Sequence, residues 1–429
     1  MLPILSWSSS VLALGGVFAL VLFSTKILQP AWWRSAPVRI AIFLAMLGVL
    51  TGLTTWLVGQ RIGSHSLVLS GCGLSYVGLL VLGPAAVMMP LGAVIDRGLA
   101  RLVLSRRSSI AGDRPPDPSA GLGRRALIRA GGATLPALGA AAGVDGFASA
   151  KEAPRMPLVR LAYEGLHPDL HGLRILHLSD IHLGGSIPLE RLEVALRTAF
   201  AAHRPDLVVV TGDIADDPSL LGPAMELVAR MSARCGAFVS LGNHEYLHDI
   251  AVTRAALERS PVPLLVSSGR TLVVGRARLY VAGADDPVHM HGDIEAMLRP
   301  SIEEAASRAP AAADFRLLLC HRPEGLGPAS EVGFDLVLSG HTHGGQLGLF
   351  GRSLLEAIRP GIGWWGRYER ARRLPTTSRL ATTPTRLYTT SGFGHWFPFR
   401  VGCPTELPVV VLERAEPDGA GMTTLSRSA

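Results

Sequence analysis

Apolar residues fall into two patterns that change near residue 150. Before it, the runs are long: Ser9–Phe23 continuing to Leu28, Val38–Val58, and Leu67–Val94, the last broken by Pro84 and Pro90. A bilayer needs about 20 apolar residues per helix, so about three transmembrane helices are predicted within residues 1–103. Beyond residue 155 the runs shorten to strand length: Leu173–Leu178, Leu207–Thr211, Ala237–Leu241, Phe315–Cys320 and Asp335–Ser339. Helical patterns over Leu189–Ala202, Ser219–Ala233 and Thr253–Glu258 separate the first of them. Short buried runs alternating with helices predict an α/β unit over 155–415 whose strand ends converge on one edge. Residues 104–123 read as a basic, Pro/Gly/Ser-rich linker, and 416–429 as a flexible tail.

Each short run ends in a polar cluster: Asp180-Ile181-His182, Gly212-Asp213 with Asp216 after it, Gly242-Asn243-His244-Glu245, His321, and Gly340-His341-Thr342-His343. The glycines at 212, 242 and 340 allow sharp turns directly after strands. Asp180, His182, Asp213, Asn243, His321, His341 and His343 form a mixed nitrogen and oxygen donor set. Such a set suits two divalent ions of the Mn, Fe, Zn or Co type better than Ca or Mg. Two adjacent ions need a bridging carboxylate, for which Asp213 is the best candidate. They would turn water between them into a hydroxide nucleophile for phosphoester hydrolysis. His244 is a poor co-ligand by its position beside Asn243 and is better placed as the general acid.

The order D-x-H, G-D-x-x-D, G-N-H-E, H, G-H-x-H resembles the calcineurin-like metallophosphoesterase superfamily over roughly 157–413. Gly242-Asn243-His244-Glu245-Tyr246, the AGADDP of 282–287 and Arg400-Val401-Gly402-Cys403-Pro404 resemble its membrane-attached bacterial phosphodiesterase branch. The resemblance implies a two-sheet sandwich flanked by helices. It implies that Asp180, His182, Asp213 and His343 hold one metal, and Asp213, Asn243, His321 and His341 the other. His244 is then the catalytic histidine, oriented by Asp216; an exposed carboxylate at a helix start is the other reading of Asp216. Glu245 stands where many relatives carry Asp.

Charge sharpens the membrane reading. The net charge of the 429-residue chain is +7. Lys26, Arg34 and Arg39 mark the first linker, and a dense basic stretch runs from Arg97 to Arg129. The positive-inside bias places both in the cytoplasm. Adjacency to a span, without interleaved aromatics, argues against nucleic acid as a partner. Within 124–150, Arg124-Arg125 followed by a weakly apolar run reads as a twin-arginine export signal or as a fourth span. Either way a multi-pass membrane protein results, with its α/β unit on the extracytoplasmic side. Ala148-Ser149-Ala150 offers a small-residue cleavage pattern. The cysteines have no motif spacing, and no structural disulfide is expected.

Leu347 to Arg386 form an arginine-rich insert containing Trp364, Trp365 and Tyr368. It reads as a surface at a bilayer interface, a wall for an anionic phosphate ester, or a solvated loop over the sheet. The interfacial reading favours a lipid-linked phosphodiester or pyrophosphate as substrate. The alternative to an enzyme is a silent metal- or phosphate-binding membrane sensor or scaffold. His177 is expected in the core, while His248, His289, His291 and His395 are treated as structural or solvated.

Overall fold

A computed structural model describes residues 7–28, 30–62, scattered positions from 67 to 94, residue 138, and 141–415 apart from 185–186, 288–291, 372–383 and 396–397. The expected third membrane run lies mostly outside these residues. So do the 104–123 linker, the twin arginine, His289, His291 and the 416–429 tail.

The chain divides into two units, residues 1–151 with 397–401, and residues 152–396 with 402–429. In the first, helices run over Trp7–Phe23 and Ala36–Ile62. Among the described residues one helix segment, Ala36–Gly59, is long and apolar enough to cross a membrane, with mean hydropathy 2.0. Residues 141–149 are also helical, and the Gly146 carbonyl accepts from the Arg400 N–H at 2.7 Å.

The second unit is built on two sheets. Its strands are β1 (Leu158–Tyr163), β2 (Arg174–Leu178), β3 (Leu207–Thr211), β4 (Ala237–Ser240), β5 (Ser268–Val274), β6 (Ala277–Gly283), β7 (Phe315–Leu319), β8 (Leu336–Ser339), β9 (Gly348–Leu349), β10 (Arg352–Ser353), β11 (Gly366–Arg370), β12 (Thr385–Thr389) and β13 (Val409–Arg414). One sheet has the order β1-β13-β2-β3-β4 and the other β11-β12-β8-β7-β6-β5. β2, β3 and β4 are parallel, as are β6, β7, β8 and β12. Helices Leu189–His203 and Leu221–Arg230 make the crossovers that parallel neighbours require.

Burial explains why these short runs form strands. Every residue of β3 is buried, because both of its faces are covered. Val209, Ile175 and Leu161 face the second sheet and meet Val281, Phe315 and Leu336 in the layer between the sheets. Tyr163 and Phe315 meet edge to face there, with centroids 5.0 Å apart. The alternate residues Leu176, Val208 and Val210 pack under Leu192, Leu196 and Met225 of the crossover helices. Helix Ile294–Ser307 covers the outer face of the second sheet through Leu298 and Ile302. The expected sandwich flanked by helices is present.

Two details depart from the sequence expectation. The insert from Leu347 is no plain loop: it forms the β9–β10 hairpin, and then β11 as an edge strand of the second sheet. Of the glycines at 212, 242 and 340, only Gly212 turns left-handed, with φ +78°. A Cβ at Gly212 would lie 2.3 Å from the Gly242 nitrogen, so this site needs glycine for both conformation and space. Gly212→Ala should lower the apparent melting temperature of the detergent-purified chain by about 5–10 °C, a loss of roughly 2–3 kcal/mol. Gly222→Ala, whose Cβ would meet nothing within 4 Å, should leave it unchanged. Equal melting of the two variants would refute this account.

Candidate metal centre

Five of the candidate ligands themselves take the left-handed backbone conformation: Asp180 (φ 52°), His182 (50°), Asp213 (52°), His341 (66°) and His343 (49°). Asp, Asn and His are among the non-glycine residues that best tolerate that region. The chain thus turns sharply at the strand tip, and the turning residue projects its side chain into the cleft. Gly340 supplies room rather than a turn, since a Cβ there would lie 2.0 Å from the Asp180 carboxylate.

Hydrogen bonds lock the tips together. Asp180 N–H donates to the Gly212 carbonyl at 3.2 Å and His182 N–H to the Asp213 carbonyl at 3.1 Å. His341 N–H donates to the Asp180 carboxylate at 2.9 Å, tying the second sheet to the first. His321 Nδ1 lies 2.6 Å from the Thr211 carbonyl, which fixes the proton on Nδ1 and turns Nε2 toward Asp213, 3.1 Å from Oδ2.

Six of the seven expected ligands, all but Asn243, are brought together, with His244 among them. Three groups of donors lie close enough to share a cation: Asp180, His182 and His343; His182, Asp213 and His244; and Asp213, His321 and His341. Asp213 belongs to two of them. His244 stands among the donors rather than apart from them, so its position beside Asn243 does not by itself keep it from a metal. Its Nδ1 lies 3.1 Å from Asp216 Oδ1, which also receives His182 Nδ1 at 3.0 Å. Asp216 is therefore no helix cap; Asp217 fills that place, accepting from Ser219 N–H at 3.0 Å.

Charge in the pocket is set by burial and by this crowding. Burial disfavours a charged His321, but the Asp213 carboxylate outweighs it and lifts the ring to about 10. For His244 burial again opposes charge, and Asp213 with Asp216 raises it to about 9. Burial would raise Asp213 and Asp216, yet the surrounding histidines hold both below the usual carboxylate range. Burial raises Asp180. It lowers His341, with Arg322 adding to the effect.

The residues present fit divalent cations. The donors are imidazole nitrogens and carboxylate and amide oxygens, all from buried or half-buried side chains. Asn243 Oδ1 is buried without a hydrogen-bond partner, an arrangement that costs free energy unless something else satisfies it, and His321 Nε2 faces the Asp213 carboxylate. Asp213 favours positive charge at the His321 nitrogen, and a proton or a cation can supply it.

Sequence reasoning missed three supports. The buried Glu245 carboxylate accepts three backbone N–H groups, from Gly242 (2.7 Å), Asp213 (2.9 Å) and Ile214 (2.9 Å), and so clamps the β3 tip to the β4 tip. Its position three residues after Gly242, as in a capping box, was the available signal. Buried Arg322 is held by Asp286 at 2.8 Å and reaches His341 Nε2 at 2.8 Å. Gly394 N–H bonds the Asp180 carbonyl at 2.7 Å, which seats the 390–395 loop, with buried His395, against that turn. His177 is a core residue, bonded to Thr211 Oγ1 at 2.9 Å, and burial lowers it to about 3. Cys235 and Cys320 carry free thiols.

Residues 173–345, which span every one of these tips, match the family model for calcineurin-like phosphoesterases. This is a calcineurin-like phosphoesterase domain. An uncharacterised metallophosphoesterase of Campylobacter jejuni is 30% identical over 270 residues, covering 62% of this chain and 65% of that protein. A transmembrane protein with metallophosphoesterase domain from Danio rerio is 30% identical over 286 residues, covering 63% and 60%. A UDP-2,3-diacylglucosamine pyrophosphatase of Chlamydia trachomatis is 25% identical over 279 residues, covering 56% and 83%. The match thus spans under two thirds of the length of the first two relatives.

The Glu245 clamp is open to test. Glu245→Gln sets an amide NH₂ against backbone donors, and metal affinity should fall about 10–100-fold in competition with a chelator. Undiminished affinity would rule out the clamp.

Proposed function

We propose that the chain is a membrane-associated, metal-dependent phosphoesterase that cleaves a phosphodiester or pyrophosphate bond. The observation that carries this reading is the meeting of three donor groups, two of which share Asp213, beside the buried Asn243 Oδ1 left without a hydrogen bond. Asp180, His182, Asp213 and His343 would hold one divalent ion, and Asp213, Asn243, His321 and His341 the other. When bound, such ions supply Lewis acidity that activates water and offsets phosphoryl charge.

The protein's own groups handle orientation and the proton. Asp216 accepts from Nδ1 of both His182 and His244, which leaves each ring's Nε2 directed at the cleft. His244, which Asp213 and Asp216 keep doubly protonated, has its Nε2 3.9 Å from Asp213 Oδ2 and donates the Nε2 proton to the leaving oxygen. Arg322, anchored by Asp286, holds the His341 ring in place. A lipid-linked substrate is supported by the Chlamydia relative's name and by the apolar helix Ala36–Ile62. The arginine bias of the N-terminal third supports an extracytoplasmic position for the domain.

Detergent-purified full chain with Mn²⁺ should hydrolyse a chromogenic phosphodiester. His244→Gln should lower kcat by about 10²–10⁴-fold while both metals stay bound. Asp216→Asn should lower kcat less and also weaken metal binding through His182. A wild-type chain that holds two ions and turns over no phosphodiester or pyrophosphate would overturn the hydrolase reading in favour of a metal-holding scaffold.

A further inference from the structure

We infer that the β9–β10 hairpin and the turn after it form a docking surface for an anionic lipid bilayer. The hairpin loop is Phe350-Gly351, with φ of 50° and 74°. Two-residue loops with both residues at positive φ favour Asn, Asp and Gly, and a bulky aromatic ring there is strained. Phe350 is 95% exposed, so no packing within its own unit offsets that strain. Leu349, Leu354 and Ile358 are exposed as well, placing four large apolar residues within ten positions of chain. A cluster of this kind marks an interaction surface, unlike isolated exposed residues such as Val273 on β5.

The neighbouring charges select the partner. Arg352 and Arg359 are exposed beside the apolar residues, while the nearby Glu356 is turned inward and accepts from the Tyr368 hydroxyl at 3.1 Å. Apolar tips flanked by guanidinium groups suit an anionic headgroup layer over acyl chains. The tryptophans expected at an interface are less exposed than these residues. Both are half-buried, and the Trp364 indole N–H is bonded to the Arg359 carbonyl at 2.8 Å. The hairpin is also held firmly. A Cβ at Gly348 would lie 2.4 Å from the Gly402 carbonyl and 3.1 Å from the Trp365 ring. His343 precedes β9 by five residues, so the surface would bring a candidate ligand loop close to lipid. This extends the lipid-linked reading of the substrate, but the evidence for it is separate from the metal donors.

Full-length protein in nanodiscs of phosphatidylglycerol with brominated acyl chains reads the contact without reference to turnover. The emission added by Phe350→Trp over wild type should be at least about twofold lower than in unbrominated discs. That of Val273→Trp should not change. Exchange of phosphatidylglycerol for brominated phosphatidylcholine should relieve the quenching at position 350. Unquenched emission at 350, whether solvent-like or blue-shifted under a protein cover, would overturn the inference. Equal quenching at 273, or equal quenching in the zwitterionic lipid, would overturn it too.

Discussion

The left-handed turn at the strand tips is the constraint on which the rest of this domain depends. Five candidate ligands adopt it, at a cost on the order of 1 kcal/mol each. The surrounding structure helps to hold those turns. The two sheets do so by crossing hydrogen bonds over the cleft, above all from His341 N–H to Asp180 and from His321 to the Thr211 carbonyl. Fold and site are therefore one problem, because the bonds that join the sheets are made by the residues that would hold the ions.

Glu245 and Asp216 show how few carboxylates are needed to hold the arrangement. One sits beneath the cleft and gathers three amide protons from two loops. The other sits at the rim and fixes two imidazoles through one oxygen. Neither has to touch a metal to decide where the donors point. Arg322 does similar work for His341, with its own position set by Asp286.

Much of this was legible in the sequence. Buried parallel strands read as short apolar runs, and β3 coincides with its predicted span because both its faces are covered. The polar residues after each run pointed to one edge, where the structure places them. Strands with one exposed face were harder: β1 alternates buried and exposed residues at a sheet edge, and β5 is mostly uncovered. The Glu245 clamp and the Arg322–Asp286 pair were not legible, since each depends on contacts between loops far apart in the chain. In the insert, the exposure of Leu349, Phe350, Leu354 and Ile358 and the half-burial of the tryptophans were not legible, since they depend on how the hairpin packs.

The place of β13 has a consequence for how the molecule comes into being. This strand lies between β1 and β2, parallel to the first and antiparallel to the second. Until residues 409–414 leave the ribosome, the first sheet is split and its edges stay open, so some 250 residues of nascent polypeptide must wait for their keystone.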